Sequence, residues 1–258
     1  MEIQYPKIKI QIMKCMAIKF IINIIQNLTF FIITILCGIL YILICPFVIA
    51  SERLSRKVTM LWLWSIISST KIFCKIQLHN AQYQNISGVI IASNHCSAWE
   101  TFFISHYYNV PIFILKKSLM NIPVIGLFLH KFGMIGIERD NLSKKAIMNI
   151  IKKSNEIISQ NKNIVIFPQG TRVSIEDSFN YEKFPYKSGI AMFAIDKNIL
   201  TISTDASKVF GRGLFSWKKT GIINVSFNEI IKFETGSKKD EISEKIRISI
   251  EKGLKEIL

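Results

Sequence analysis

The sequence predicts an α/β fold, with a mixed, mainly parallel sheet flanked by helices and preceded by an N-terminal membrane-embedded helical segment. Two observations predict this arrangement. After Ile76, short β-branched runs alternate with stretches whose apolar residues recur at helical spacing. Before that point, no charged residue occurs from Phe20 to Ala50. We therefore expect a membrane anchor over residues 1–75 and an α/β domain over residues 76–258.

The most apolar part of the N-terminal segment runs from Leu28 to Ala50. As a helix, its 23 residues would be roughly 34 Å long, enough to cross a bilayer core of about 30 Å. A second apolar stretch, from Met60 to Phe73, contains two tryptophans, which favour the membrane interface. One spanning helix and a helical pair embedded from the cytoplasmic side both fit, and Pro46 with the basic turn at 51–57 favours the pair. The alternative is that both stretches are ordinary core helices.

The charge of the chain indicates an anionic partner. There are 33 Lys and Arg residues against 18 Asp and Glu residues, which gives a net charge of +15. Anionic membrane lipids or a phosphorylated substrate would suit this balance. No helix-turn-helix, zinc-finger or ribonucleoprotein motif is present, so we expect no nucleic-acid partner.

The five cysteines are odd in number and include no Cys-x-x-Cys pair, which argues against a disulfide framework or a zinc site. No cluster of metal-ligating residues is visible either, so we expect no metal and no cofactor. Cys96 lies beside His95 and is a candidate thiol nucleophile. Adjacent side chains at a turn usually point apart, however, and this interpretation is disfavoured.

The α/β part is divided into short strands and longer helices. The predicted strands are 88–93, 111–115, 133–137, 163–167, 199–203 and 221–227. The predicted helices are 97–108, 142–160, 187–196 and an amphipathic C-terminal helix within 238–258. In this last segment, apolar residues recur four apart at Ile242, Ile246, Ile250 and Leu254.

The stretch from Gly88 to Thr101 brings a histidine and a carboxylate together. A buried strand ends at Ser93 and Asn94, and a helix is predicted to begin near Ser97, so His95 lies in the turn between them. Glu100 follows in the first helical turn. One interpretation is a capping box, in which Glu100 reaches back to the Ser97 N–H and His95 is an ordinary loop residue. The other makes His95 a general base whose tautomer and positive charge are stabilised by Glu100.

A second group of polar residues follows the strand at 163–167, in the order Pro168, Gln169, Gly170, Thr171 and Arg172. Gly170 permits a positive φ or close backbone approach, and the Arg172 guanidinium suits phosphate oxygens. The alternative is a plain turn with a solvated arginine.

Cations also follow two other predicted strands. Arg139 comes after the strand at 133–137, and Lys116 with Lys117 closes the strand at 111–115. Arg139 pairing with its acidic neighbours, and lysines that are only surface charges, are the alternatives. Because open α/β sheets bind ligands at the carboxyl ends of their strands, the shared placement of His95, Lys116, Arg139 and Arg172 favours a functional site.

The sequence resembles the glycerolipid acyltransferase family, in particular bacterial 1-acylglycerol-3-phosphate (lysophosphatidic acid) acyltransferases. That family carries Asn-His-x4-Asp, Gly-x-Ile-x-Arg and Phe-Pro-Glu-Gly-Thr-Arg, in this order. The corresponding segments here are 94–100, 136–139 and 167–172, and the resemblance covers about residues 86 to 227. Glu100 stands in place of the family's Asp, and Gln169 in place of its Glu. The family's fourth block, an apolar run with proline, is poorly matched by 199–203.

The resemblance implies a membrane-bound enzyme of phospholipid biosynthesis, on the cytoplasmic face of the inner membrane. It would transfer an acyl group from acyl-CoA or acyl carrier protein to the sn-2 hydroxyl of lysophosphatidic acid, giving phosphatidic acid. The implied catalytic residues are His95 and Glu100. The implied substrate-binding residues are Lys116, Arg139, Gly170, Thr171 and Arg172.

Two alternatives to this function stay open at the level of sequence. The first is an acyltransferase that acts on another lipid, such as a lysophospholipid or a lipid A precursor. The second is a non-catalytic membrane protein that binds anionic lipid and keeps only the fold.

Overall fold

A computed structural model of the protein describes residues 4–83, 85–122, 125–138, 143–234 and 236–258. The helices are α1 (Gln4–Val48), α2 (Glu52–Thr70), α3 (Trp99–Tyr107), α4 (Ile125–Lys131), α5 (Lys144–Ser159), α6 (Ala191–Ala194), α7 (Ser207–Phe210) and α8 (Lys239–Ile257). The strands are β1 (Cys74–His79), β2 (Ile90–Ser93), β3 (Ile112–Lys116), β4 (Ile135–Ile137), β5 (Ile164–Ile166), β6 (Asn198–Thr204) and β7 (Gly221–Lys232).

The seven strands form one sheet in the order β1-β7-β6-β2-β5-β3-β4. Every neighbouring pair is parallel except β6 and β7, which are antiparallel. The predicted mixed, mainly parallel sheet is therefore confirmed. Since β2, β5, β3 and β4 run in the same direction, their carboxyl ends meet at one edge of the sheet.

The centre of the sheet is buried on both faces, as expected of parallel strands. Ile90, Ile91, Ile164 and Val165 have no exposed surface. One face is covered by α8, whose four predicted apolar residues are all fully buried and which packs on β6 and β7. The predicted C-terminal amphipathic helix is therefore confirmed.

Several elements differ from the sequence prediction, and the short helices α4 and α7 lie outside the predicted helices. Strand β1 lies outside the predicted strands because it is an edge strand with exposed polar residues between its apolar ones, and its pairing with β7 makes it a strand. The helix expected at 187–196 is instead a 3-10 turn at Ser188–Ile190 followed by the short helix α6. The chain then turns into β6 at Asp196, where φ is +58°.

The N-terminal part contains two helices. α1 is 45 residues long and holds Pro46 in its last turn, and α2 follows after a short link in which the Ser51 hydroxyl accepts the Leu54 N–H. The two helices pack together, with the ring of Tyr41 stacked 5.3 Å from that of Trp62. A single helical segment, 16–47, is long and apolar enough to cross a membrane among the described residues. Most of its large apolar side chains are exposed.

α1 is also attached to the α/β domain. Its Phe30 is fully buried, with ring centroids 5.6 Å from those of Phe73 and Phe210. The predicted division at residue 75 falls within β1, which begins at Cys74 and pairs with β7. The sheet therefore starts just before the predicted boundary, and α1 contacts the domain at Phe73 and at Phe210 of α7.

Buried amide groups reinforce this attachment. They meet the 211–220 loop, which joins α7 to β7. The fully buried Asn27 accepts the Lys218 N–H at 2.7 Å and donates to the Lys218 carbonyl at 2.9 Å. Trp217 Nε1 donates to Asn23 Oδ1 at 2.7 Å. These hydrogen bonds from Asn23 and Asn27 fix the position of α1 on the domain.

Lys218 itself is fully buried at this junction. Its ammonium donates to the carbonyls of Leu214 and Ser216 and lies 4.0 Å from the centroid of the Phe210 ring. Burial lowers the pKa of Lys218 to about 7. The buried Lys218 ammonium thus bonds to carbonyls of its own loop. The backbone of Lys218 attaches the loop to α1.

We expect Asn27→Leu to destabilise the protein by about 1–3 kcal/mol, because it leaves the buried N–H of Lys218 without its acceptor. Thermal unfolding in detergent measures this. Thr29→Val, on the exposed side of the same helix, is the matched control and should change stability little. Equal effects of the two substitutions would show that Asn27 does not hold the junction.

Candidate active site

The turn after β2 is fixed by the side chain of Asn94. The buried amide donates to the Thr204 carbonyl and accepts the Thr204 N–H, each at 2.9 Å. This pairing attaches the turn to the end of β6, the neighbour of β2. The carbonyl of His95, the next residue, accepts the Val173 N–H at 2.7 Å. The backbone at His95 is thus held on one side by the end of β6 and on the other by the turn after β5, the two strands that flank β2.

The His95 and Glu100 side chains meet, as their spacing suggested. His95 Nδ1 lies 2.7 Å from Glu100 Oε1, and the Glu100 side chain is only 1% exposed. The same oxygen accepts the Ser97 N–H at 2.7 Å, while the Ser97 hydroxyl accepts the Trp99 N–H. The capping and histidine-orienting interpretations are therefore compatible, because one carboxylate oxygen makes both contacts.

The surroundings of this pair leave one imidazole nitrogen available. The ring stacks on Phe167, with centroids 4.1 Å apart and planes 15° apart. A carboxylate accepts hydrogen bonds only, so Nδ1 carries the proton toward Glu100. No described residue hydrogen-bonds to Nε2. Within the described part of the chain, Glu100 Oε2 is buried and has no hydrogen-bond partner.

Cys96 does not serve as a nucleophile in this arrangement. Its thiol is buried and directed to the Thr204 carbonyl. Burial, and then the nearby Glu100 carboxylate, raise the pKa of Cys96 well above its usual value. The thiol therefore remains protonated at neutral pH, in agreement with the sequence interpretation.

The turn after β5 brings Arg172 next to the histidine turn. Gly170 has φ of +68°, the left-handed region that glycine adopts easily, and its N–H donates to the Phe167 carbonyl. Thr171 is exposed. Gln169 is buried, and its Nε2 has no hydrogen-bond partner among the described residues. Gln169, which stands where the family carries a glutamate, is thus buried within the turn.

A cleft of about 180 Å³ opens beside the histidine turn, and we call it the arginine cleft. Its lining includes Cys96, Arg172, Ser174, Ser207 and Arg212. Neither guanidinium lies within 4.0 Å of a carboxylate in the described ranges. Unpaired guanidinium groups in a cleft form a binding place suited to phosphate or carboxylate.

An apolar cavity of about 200 Å³ is also lined by Phe167. It is enclosed by the ends of β3, β4 and β5 together with α5 and α6. Its lining residues include Ile114, Ile150, Ile190, Phe193 and Gly170, with Lys187 also present. Phe167 therefore both contacts the ring of His95 and lines the apolar cavity.

The other predicted substrate-binding cations are Lys116 and Arg139. Lys116 is the last residue of β3 and is exposed, at the same sheet edge as His95 and Arg172 but outside the lining of the arginine cleft. Its neighbour Lys117 pairs with Glu138 at 2.7 Å. Arg139 lies outside the described residues. The expected gathering of cations is therefore present for Arg172, partial for Lys116 and undescribed for Arg139.

Sequence reasoning missed three residues that shape the site. Asn94 and Phe167 lie within the quoted motifs, but no pattern indicated that their side chains anchor the turn and stack on the imidazole. Arg212 belongs to no motif. It joins the site because the 211–220 loop and the turn after β5 line the same cleft in the folded protein.

The fold and this site define an acyltransferase-like α/β protein. The family described as Acyltransferase matches residues 75–204, half of the chain, and the chain belongs to that family. The resemblance suggested by the sequence motifs is confirmed.

Individual relatives share a more specific description. The 1-acyl-sn-glycerol-3-phosphate acyltransferase of Pseudomonas aeruginosa is 30% identical over 122 residues, which are 46% of this chain and 47% of that protein. That of Helicobacter pylori is 36% identical over 106 residues, 41% of this chain and 42% of that protein. The match thus spans about half the length of these curated relatives.

A solved structure agrees with the fold. The crystal structure of the 1-acyl-sn-glycerophosphate acyltransferase PlsC of Thermotoga maritima has a TM-score of 0.64 with this protein. The likeness covers 93% of this chain and 97% of that one, at 17% sequence identity. It therefore includes the N-terminal helices as well as the sheet.

We expect Glu100→Gln to keep the stability of the protein within about 1 kcal/mol, because glutamine still offers an acceptor to the Ser97 N–H. Glu100→Ala should cost about 1–3 kcal/mol, because that buried N–H loses its partner. Chemical denaturation of both variants measures the difference. Equal losses for Gln and Ala would show that the negative charge, and not the hydrogen bond, stabilises this turn.

Proposed function

We propose that the protein transfers a fatty acyl group from a thioester to the sn-2 hydroxyl of 1-acylglycerol-3-phosphate and so makes phosphatidic acid. The observation that carries the proposal is the His95–Glu100 pair, with Nδ1 engaged and Nε2 free of described partners, beside the arginine cleft. The family match and the names of the relatives agree with this reaction.

In the proposed mechanism, His95 Nε2 removes the proton of the acceptor hydroxyl as its oxygen attacks the thioester carbonyl. The tetrahedral intermediate then collapses and expels the thiolate, which takes the proton from the imidazolium and leaves as the free thiol. Glu100 holds the ring and stabilises its transient positive charge, an effect strengthened by burial of the carboxylate. Backbone N–H groups near the start of α3 would stabilise the oxyanion. No acyl-enzyme is required.

The arginine cleft and the apolar cavity are suited to different parts of the two substrates. The arginine cleft would hold the acceptor phosphate through Arg172, and positioning of this kind can lower a barrier by several kcal/mol. Lys116, Arg139 and the backbone at Gly170 and Thr171 are proposed to complete the substrate contacts. The apolar cavity behind Phe167 would take the acyl chain of the donor, which is acyl-CoA or acyl carrier protein.

The membrane is the proposed place of action. Both the acceptor and the product are lipids, and α1 exposes a continuous apolar surface formed by residues such as Phe20, Ile25, Ile32, Ile39 and Phe47. Exposed Leu61 and Trp64 extend it onto α2. We propose that residues 1–75 anchor the protein on the cytoplasmic face of the inner membrane, with basic residues facing anionic lipids.

His95→Ala should reduce acyl transfer to lysophosphatidic acid by at least about 100-fold, the usual contribution of a general base. Glu100→Gln should cause a loss of similar order while the protein stays folded, because the imidazolium loses its counter-charge. Initial rates in mixed micelles, with thermal unfolding measured in parallel, give both quantities. His130→Ala, an exposed histidine on α4, is the matched control. Activity of the His95 variant within tenfold of the wild type would refute the general-base role.

The intact protein should stay with the membrane fraction in high salt, since apolar insertion is not screened as surface charge is. Fractionation followed by immunoblotting tests this, with a peripheral membrane protein known to be released by salt as the control. Release of the protein by salt alone would show that its positive charge, and not α1, holds it there.

A further inference from the structure

We propose that Arg212 is a second phosphate-binding residue for the lipid acceptor and acts together with Arg172. This inference rests on the proposed function. Both side chains line the arginine cleft, but they come from different parts of the chain. Arg172 follows β5 in the turn that contacts His95, whereas Arg212 belongs to the 211–220 loop before β7.

The cleft is lined by charges of both signs. Two acidic residues, Glu176 and Asp177, also line it, and both have local partners. Asp177 contacts the Ser174 hydroxyl and lies 3.8 Å from the Lys183 ammonium. Hydrogen bonds from its own backbone N–H and from the Ser174 hydroxyl lower the pKa of Glu176. The arginines have no such carboxylate partner among the described residues, so their charge is available to a ligand.

The backbone of the 211–220 loop holds Arg212 in register with the catalytic turn. Gly211, the preceding residue, accepts the Ser97 hydroxyl at 2.6 Å. Gly211 has φ of +74°, and a Cβ there would come 2.7 Å from the Cβ of Ser216. The loop therefore turns sharply at Gly211 and is bonded to the residue whose N–H contacts Glu100. Arg212 is in this way tied to the same turn as His95.

The other end of the loop lies against the apolar helix. The Lys218 backbone is bonded to Asn27, and the neighbouring aromatic residues Phe215 and Trp217 are 67% and 50% exposed. The loop thus extends from the exposed apolar surface of α1 to the arginine cleft. A lysolipid whose chain lies in the bilayer would present its phosphate along this loop, and a phosphate with more than one negative charge suits two guanidinium groups.

Substrate kinetics with Arg212→Gln test the assignment. We expect the KM for lysophosphatidic acid to rise about tenfold, the usual effect of losing one hydrogen bond to a charged group. The KM for the thioester donor and the residual rate with monoacylglycerol, which lacks the phosphate, should stay within about twofold of the wild type, because neither uses this contact. Arg212→Lys should restore part of the loss, since it keeps the charge but not the bidentate geometry.

Lys232→Gln is the matched control, because it removes one positive charge at the opposite edge of the sheet, where Lys232 pairs with Asn198 at the start of β6. Its KM values should equal those of the wild type. An unchanged KM for lysophosphatidic acid in Arg212→Gln, or an equal fall in the rate with monoacylglycerol, would overturn the assignment.

Direct binding separates this inference from the proposed reaction. Calorimetry with a short-chain lysophosphatidic acid should show binding to the wild-type protein that weakens about tenfold in Arg212→Gln and in Arg172→Gln. If the wild type binds this ligand in that manner but transfers no acyl group, the proposed function fails and the phosphate site stands. If it transfers acyl groups but Arg212→Gln binds as the wild type does, the phosphate site fails alone.

Discussion

The buried carboxylate of Glu100 is the group on which the site depends. A single oxygen accepts the N–H of Ser97 and faces Nδ1 of His95, so the start of α3 and the orientation of the imidazole are set by the same charge. Removing a carboxylate from water is costly unless it is paired, and here one oxygen is paired while the other is buried without a described partner. In the proposed mechanism, this negative charge faces the imidazolium that forms during proton transfer. The cost of burying it is therefore linked to the chemistry proposed for the site.

This turn is held by β5 and β6, the two strands that flank β2, and by the loop that reaches the N-terminal helix. Asn94 binds the end of β6, the His95 carbonyl binds the turn after β5, and the Ser97 hydroxyl binds Gly211. The same 211–220 loop is fastened to α1 through Asn27. A helix that is apolar enough to enter a membrane is thus connected to the histidine turn by a short series of hydrogen bonds. The connection gives Asn23 and Asn27 of α1 their hydrogen-bond partners in the domain.

Much of the fold was predictable because its signals are local. β-branched runs such as that at 164–166 and the four-residue recurrence in α8 reflect burial, which acts on each segment in the same way wherever it lies. β1 was not predicted because its residues are half-exposed and show no clear strand pattern. It becomes a strand by pairing with β7. The helix expected at 187–196 begins as a 3-10 turn and ends at Ala194, where Ile195 is already extended. The side chains that fix the site, such as Asn94, act on residues more than a hundred positions away, and no local pattern records such pairs.

The sequence by itself determined the α/β class, the apolar character of the N-terminal segment and the meeting of His95 with Glu100. These follow from hydrophobic periodicity and from a five-residue separation that one turn can close. Only the tertiary structure decided that one oxygen of Glu100 makes both of its contacts, that Phe167 stacks on the imidazole, and that Arg212 shares a cleft with Arg172. The physical reason is that parallel strands bring distant loops to one edge of the sheet. Which side chains meet there depends on strand order and register, and these are properties of the whole chain.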